Sequence, residues 1–180
     1  MSEVGPERPS FEAVVRAHRA RVFRYCVALT GDRARAEDLL QETFVDAMRG
    51  YDGFRGEASV LSWLFTIARR RCGRMARRRQ GQPAQTEELM TLGLEAGWGS
   101  CAEVEAKLDA QTSRARIDRA LATLSPSDRE IITLRELDEL STKQVAALLG
   151  ASEAAVRVRL HRARLRFVAR LRDHEETPDA

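Results

Sequence analysis

The chain has 180 residues, of which 43% are hydrophobic and 32% are charged, with a formal net charge of +3. This hydrophobic share supports one or two packed cores and argues against global disorder. The cysteines at 26, 72 and 101 are far apart and form no CxxC pair, which argues against a disulfide framework or a zinc knuckle, and no apolar run reaches membrane-spanning length.

Two helices are predicted at the start of the chain. Ser10 can cap the first, whose apolar positions run at helical spacing until Thr30-Gly31 ends it. Asp32 can cap the second, which runs to about Arg49 and whose core side is predicted to include Ala47 and Met48.

The second helix also carries a stripe of acidic residues. Asp38, Glu42 and Asp46 are four residues apart, with Gln41 alongside, so they share one exposed side of the helix. A solvated surface is the interpretation that spacing alone favours. A docking surface for a basic partner is the alternative.

Gly50 is predicted to end the second helix, and a loop with two glycines and two aromatics covers 51–57. A long helix then runs from about Ser59 to Arg79. Arginines crowd its second half, and such density repels itself unless a polyanion neutralises it. Trp63 and Phe65 lie near its start. Aromatic residues beside a basic helix suit base stacking in single-stranded nucleic acid, and the alternative is that both are core residues. Trp63 is expected to belong to the core at least in part.

Residues 81–102 are acidic and interrupted by Gly and Pro, which predicts a linker between a domain at 10–80 and a second domain at 103–172. The polar tail at 173–180 is predicted to be disordered. Helical spacing returns from about 103 to 124, and Ser125-Pro126 is a strong start for the next helix. No strand pattern is present, so the predicted fold class is all-α, with two helical domains joined by a flexible linker.

The segment 140–167 reads as two short helices around a tight turn. Ser141 and Gln144 form a capping-box pattern, and Gly150 suits the C-cap. Ser152 then caps a second helix with an apolar stripe and arginines on its other side. This arrangement is typical of a helix-turn-helix recognition helix, but also of any solvated helix pair, and spacing alone leaves both open.

Three segments, taken together, resemble the extracytoplasmic-function class of bacterial RNA polymerase sigma factors. AEDLLQETFVDAM at 36–48 is similar to the segment that grips the clamp helices of the polymerase β′ subunit. FRGEASVLSWLFTIARRR at 54–71 is similar to the segment that melts and reads the −10 promoter element. The segment 124–164 is similar to the domain that reads the −35 element, and no middle domain separates the motifs, as in this class.

The resemblance implies three sets of contacts. It implies core-polymerase binding by Asp38, Gln41, Glu42 and Asp46. It implies −10 binding, with a pocket for a flipped base in the loop, by Phe54, Arg55, Gly56, Glu57, Trp63, Arg69, Arg70 and Arg74. It implies −35 binding by Ser152, Arg157, Val158, Arg159, His161, Arg162 and Arg164, of which Arg159 and Arg164 are expected on phosphates. The family commonly carries Asn at position 70 and Asp at position 74, so these two arginines are departures.

The expected function is therefore a promoter-specificity subunit with double-stranded DNA at −35, melted DNA at −10 and the polymerase β′ clamp and β subunits as partners. An anti-sigma partner is known for many relatives. No catalytic constellation, metal cluster or cofactor motif is found, and a cytoplasmic protein without membrane insertion is expected. The rival hypotheses are a stand-alone helix-turn-helix regulator, which would not need the first half, and an interaction adapter, which would gain little from two Arg-rich helices.

Overall fold

The computed structural model describes residues 9–80 and 110–173, with side chains over 9–76 and 116–172. These residues form seven α-helices and one π-helical turn, and no strand occurs among them. The elements are α1 (Phe11–Thr30), α2 (Arg33–Gly50), α3 (Val60–Gln80), α4 (Ala110–Thr123), α5 (Pro126–Ile132), the π-turn (Thr133–Leu137), α6 (Thr142–Leu149) and α7 (Glu153–Asp173). The all-α prediction is confirmed. The predicted linker and tail lie outside the described residues, apart from residue 173, which ends α7.

The first two helices begin where their caps predict. The Ser10 hydroxyl accepts a hydrogen bond from the amide of Ala13 at 3.3 Å, and the Asp32 carboxylate accepts one from Arg35 at 2.8 Å. Each satisfies an amide that the helix itself leaves unpaired, which stabilises the helix by about 1 kcal/mol. Gly31 ends α1 in the left-handed conformation, with φ of 69°.

The helices of the predicted helix-turn-helix are capped in the same way. Ser141 and Gln144 form the reciprocal capping box, Gly150 closes α6 with φ of 66°, and the Ser152 hydroxyl accepts from the amide of Ala155 at 3.1 Å. The turn between α6 and α7 is therefore set by local sequence.

The first half of the chain is a bundle of α1, α2 and α3. Tyr25 of α1 and Phe65 of α3 are fully buried, with ring centroids 4.5 Å apart. Leu39 and Leu64 close the core around them. Burying a large apolar side chain of this kind stabilises the fold by about 1.5–3 kcal/mol.

The second half packs α7 across α5 and α6. Val156, Leu160 and Ala163 form the buried stripe of α7, as predicted, and pack in the same core as Ile131 and Val145. The opposite side of α7 is left facing solvent.

A π-helical turn follows α5 and was not predicted. The amide of Asp138 donates to the carbonyl of Thr133 at 2.9 Å, which widens the helix by one residue before it ends. Glu139 then adopts a left-handed φ of 53°, which is uncommon for a residue other than glycine. The result is that Asp138 is turned inward, and its side chain is fully buried.

The two halves pack against each other, whereas the sequence suggests two separately folding bodies on a tether. Arg21 and Arg24 of α1 bind the carboxylate of Asp138, with N–O distances of 3.0 and 2.6 Å. The Tyr25 hydroxyl donates to Glu130 of α5 at 2.8 Å. The buried hydrophobic residues of both halves join in one cluster.

Candidate nucleic-acid interface and acidic groove

A groove of about 420 Å³ lies between α2 and α3. Asp38, Gln41 and Glu42 line it from α2, so three of the four predicted polymerase contacts lie together. Val45 of α2 and Met75 of α3 add apolar surface. The groove can therefore receive a partner that is both basic and apolar.

Arginines of α3 bind the acidic stripe across this groove. Arg71 forms ion pairs with Glu42 and with Asp46, and Arg74 binds Asp46 at 3.2 Å. The side chain of Asp46 is 23% exposed under these contacts, while that of Glu42 is 52% exposed. Asp46 is thus a partly covered member of the stripe.

Met48 does not belong to the core side of α2, and that prediction is wrong. Its side chain is among the exposed large hydrophobics, at 58%, and Val45 is at 42%. Phe44 and Ala47 pack against the core. Met48 is the next position along the helix after Ala47, and it lies outside the core-facing side. An exposed methionine is a flexible apolar contact of the kind found at binding surfaces.

The loop between α2 and α3 rests on an aromatic cluster. The Trp63 ring lies 4.9 Å from Phe54 and 6.3 Å from Tyr51, measured between centroids. Tyr51 is buried and its hydroxyl donates to the carbonyl of Pro9 at 2.7 Å. Trp63 is half-buried, so it belongs in part to the core, as the second interpretation holds.

The tip of this loop is open to solvent. Arg55, Gly56 and Glu57 are exposed, and no atom comes within 4 Å of the position that a Cβ on Gly56 would take. Gly56 has φ of 74°, so the loop turns through a conformation that favours glycine. A splayed base can approach the backbone here without a side-chain obstacle.

The described arginines of α3 point in different directions. Arg71 and Arg74 reach α2, and Arg69 donates to Glu130 of the second half at 3.0 Å. Arg70 is exposed. Carboxylates of the protein therefore neutralise part of the positive charge, which was expected to require a polyanion.

The solvent-facing side of α7 carries the predicted reading residues. Arg157 has a side chain that is 64% exposed, and Val158 is 41% exposed. Arg162 is exposed and His161 is half-buried. Leu165, which is not among the predicted site residues, is 55% exposed on the same helix. Leu165 lies three residues after Arg162 and seven after Val158, and this helical spacing indicates that the three share one side of α7.

The arginines on the sides of α7 bond to neighbouring helices. Arg159 is turned inward, with a side chain 17% exposed, and donates to the carbonyl of Ser127 at 2.8 Å. Arg164 binds Glu136 at 2.6 Å, and Arg166 binds Asp128 at 2.8 Å. Ser152 is exposed and caps the helix through its hydroxyl.

No group of metal-binding side chains is found among the described residues. In the same part of the chain, no helix combines the length and the low polarity that a bilayer crossing needs. Cys26 is buried and Cys72 is half-buried, and neither is in a disulfide. Cys101 lies outside the described residues.

Comparison with known families agrees with this geometry. Residues 14–102 match Sigma-70 region 2, and residues 114–167 match Sigma-70 region 4. The chain is 32% identical to the RNA polymerase sigma factor YlaC of Bacillus subtilis, over 88% of this chain and 90% of that protein. It is 32% identical to the ECF RNA polymerase sigma-E factor of Salmonella typhimurium, over 71% of this chain and 69% of that protein.

A solved structure shares the fold. The sigma factor RpoE of Bartonella quintana, in complex with the anti-sigma factor NepR, aligns with a TM-score of 0.66 and 26% identity, over 90% of this chain and 96% of that chain. The bundle with an acidic groove, followed by a helix-turn-helix, is that of a sigma factor. The chain belongs to the sigma-70 family, as a member of its extracytoplasmic-function class. It is an alternative sigma factor, which directs RNA polymerase to promoters; sigma factors initiate transcription and are not catalysts.

Proposed function

We propose that the α2–α3 groove docks this sigma factor on the clamp of the polymerase β′ subunit. The carrying observation is that Asp38, Glu42 and the exposed apolar Val45 and Met48 lie along one helix that the fold leaves open. A stand-alone DNA-binding regulator has no need of such a surface. Exposed carboxylates steer a basic partner, and the apolar residues supply the buried area that holds it.

The test is the double reversal Asp38→Lys with Glu42→Lys. We expect its affinity for core polymerase to fall at least tenfold, because like charges then face each other across the interface. The matched control is Glu37→Lys, which reverses an exposed carboxylate one position away that pairs only with Arg33 in the described structure. Capture of purified core polymerase measures both. Equal binding by the double variant and the parent would show that the groove is not the docking site.

The loop and α3 form the proposed surface for the melted −10 strand. The open backbone around Gly56, the aromatic cluster of Phe54 and Trp63, and the exposed Arg55 and Arg70 support this assignment. An unstacked base is held by stacking and by edge contacts, while arginines bind the backbone. Arg70 stands where the family commonly has Asn, so it adds a positive charge that can bind the DNA backbone at this surface.

The exposed side of α7 is the proposed reader of the −35 element. Arg157, Val158 and Arg162 face outward, and the buried stripe fixes the helix behind them. Arginine can bond in a bidentate manner to guanine, and valine can contact a thymine methyl group. Arg164 lies at the edge, where a phosphate strand would pass.

Two further assignments rest on the family. A cytoplasmic location follows for a subunit that acts with RNA polymerase. An anti-sigma partner is also proposed, supported by the likeness to the sigma factor of the RpoE–NepR complex.

A further inference from the structure

The geometry points to an autoinhibitory latch, in which the carboxylates of Glu130 and Asp138 hold the two halves closed and occupy Arg69, a proposed contact of the −10 strand. The latch consists of Glu130 and Asp138 in the second half, with Arg21, Arg24 and Arg69 in the first. Its biological meaning rests on the proposed function of the −10 and −35 surfaces.

Glu130 is the centre of this latch. One carboxylate oxygen accepts from the Tyr25 hydroxyl at 2.8 Å and from Arg69 at 3.0 Å, both in the first half. The other oxygen lies 3.6 Å from Arg159 of α7. Arg69 is a predicted −10 contact, so the buried Glu130 carboxylate engages an arginine of a proposed DNA-binding surface across the two halves, whereas Arg159 belongs to the same half as Glu130.

Asp138 is the second attachment point. Its side chain is fully buried, and one oxygen accepts from both Arg21 and Arg24. Arg21 also donates to the backbone carbonyl of Asp138 at 2.6 Å. This residue directly follows the π-turn, and it lies at the interface between the halves. Burial of a carboxylate is costly without such partners, and these arginines lie in the other half of the molecule.

The end of α1 fits closely against α5. A Cβ built on Gly31 would lie 2.7 Å from the guanidinium end of Arg129, so a larger residue there would require the arginine side chain to shift. A guanidinium beside the carbonyl end of a helix is also electrostatically favourable. The interface is thus matched in shape as well as in charge.

The closed pair cannot span a promoter. The −35 and −10 elements are centred about 25 base pairs apart, which is about 85 Å of duplex at about 3.4 Å per base pair. A packed chain of this length has a radius of gyration of about 16 Å. The halves must therefore separate before both elements are bound, and the latch opposes that step. Polymerase docking would supply the free energy that opens it.

The test uses the full chain with Arg21→Gln and Arg24→Gln together. Both side chains are more than a third exposed, so their loss leaves no cavity in either half. The matched control is Arg33→Gln with Arg35→Gln, which removes the same charge from exposed positions of α2. Glu130→Gln is a second variant, because glutamine still accepts from Tyr25 while losing the charge that holds Arg69.

Small-angle scattering and DNA binding give separate readouts, and neither uses polymerase. We expect the radius of gyration of the Arg21/Arg24 variant to rise about 1.3-fold, as two separated halves replace one packed body. We expect its affinity for a mixed-sequence single-stranded oligonucleotide to rise about tenfold, although it has lost two positive charges. The Arg33/Arg35 control should stay compact and bind more weakly, as loss of charge alone predicts.

Three results would overturn the latch. The first is that the parent is already as extended as the Arg21/Arg24 variant. The second is that this variant is as compact as the Arg33/Arg35 control. The third is that the Arg21/Arg24 variant is extended but its DNA affinity does not rise. Glu130→Gln must move in the same direction as the Arg21/Arg24 variant, with a parent-like circular dichroism spectrum. Failure of the polymerase-capture experiment leaves these results untouched, so the latch and the docking assignment can fail separately.

Discussion

Arginines of α7 that look alike in sequence differ in what they already bond. Arg162 is on the exposed side of the helix, while Arg159 donates to Ser127 and lies near the buried Glu130. Arg164 is held by Glu136 at the edge of the helix. The reading of DNA bases should therefore depend on Arg162, and Arg159 should contribute to packing as well.

We predict that Arg162→Ala relaxes preference at one or two −35 positions, by about 1–3 kcal/mol each. Arg164→Ala should weaken binding to all sequences alike and lower the salt slope by about one charge. Selection from a randomised −35 duplex library at two salt concentrations measures both. A uniform loss across the library for Arg162→Ala would make that residue a phosphate contact.

Arg159→Ala should behave differently from both. Its guanidinium links α7 to the start of α5, so its removal should lower the free energy of unfolding by about 1–2 kcal/mol. Chemical denaturation measures this loss. Arg157→Ala, at an exposed position on the same helix, is the matched control and should change stability by less than about 0.5 kcal/mol. A stability loss for Arg159→Ala no larger than that of the control would return Arg159 to the phosphate role.

Burial raises the pKa of the Cys26 thiol to about 12, and the neighbouring Cys72 adds to the shift. The reactive thiolate is therefore almost absent at neutral pH. We predict that iodoacetamide alkylates Cys26 in the native protein at least a hundredfold more slowly than in denaturant, as measured by mass spectrometry. The half-buried Cys72 should react faster than Cys26. Rapid native alkylation of Cys26 would contradict the packing of α1 against α3.

At the scale of elements, local sequence predicts where helices begin and end. Four helices are capped at the predicted positions, by Ser10, Asp32, Ser141 and Ser152. Each side-chain oxygen accepts from the unpaired amide three residues further on, and this hydrogen bond needs no contact with the rest of the fold. The π-turn was not predictable in this way. Nothing in Thr133–Leu137 distinguishes it from a regular helix, and the contacts that accompany it, between Asp138 and the arginines of α1, are tertiary.

The turn between α6 and α7 offers a clean test of backbone conformation. Gly150 has φ of 66°, and no atom lies within 4 Å of a Cβ built there, so a substitution meets strain but no clash. Gly150→Ala should lower the free energy of unfolding by about 1–2 kcal/mol. Gly150→Asn should cost less, because asparagine tolerates this conformation better. Thermal or chemical denaturation measures both.

Gly53→Ala is the matched control for that substitution. Gly53 has no left-handed φ, and its Cβ would meet a backbone oxygen at an ordinary 3.6 Å. It should therefore change stability by less than about 0.5 kcal/mol. Equal losses at both glycines would show that the left-handed conformation is not what matters at Gly150.

At the scale of the whole molecule, the sequence predicts the two parts but not their contact. Hydrophobic spacing identifies which side of each helix is buried, and the motifs place the acidic stripe and α7. The interface depends on single polar pairs, such as Tyr25 with Glu130, between residues more than a hundred positions apart. Neither residue type nor spacing marks such a pair, and Glu130 resembles any solvated helical glutamate. Met48 shows the same limit, since one helical step separates the core from the surface.

Two tyrosines distinguish the contact between halves from packing within one half. Tyr25 and Tyr51 are both buried, and each hydroxyl makes a hydrogen bond, to Glu130 of the other half and to Pro9 of the same half. Burial and the neighbouring Glu130 carboxylate raise the pKa of Tyr25 well above its ordinary value, so it remains a donor throughout the neutral range. Tyr25→Phe should cost about 1.5–3 kcal/mol, as for a hydrogen bond to a charged group, and Tyr51→Phe about 1 kcal/mol.

Amide hydrogen exchange shows which helices lose protection when each tyrosine is replaced. Tyr25→Phe should reduce protection in both α1 and α5, because Glu130 loses one of its donors from the first half. Tyr51→Phe should reduce protection only around the start of α1 and the end of α2, where Pro9 and Tyr51 meet. If Tyr25→Phe leaves α5 protected as in the parent, the two halves are not coupled through this bond, and the arginine pairs at Asp138 and Glu130 hold the closed arrangement without it.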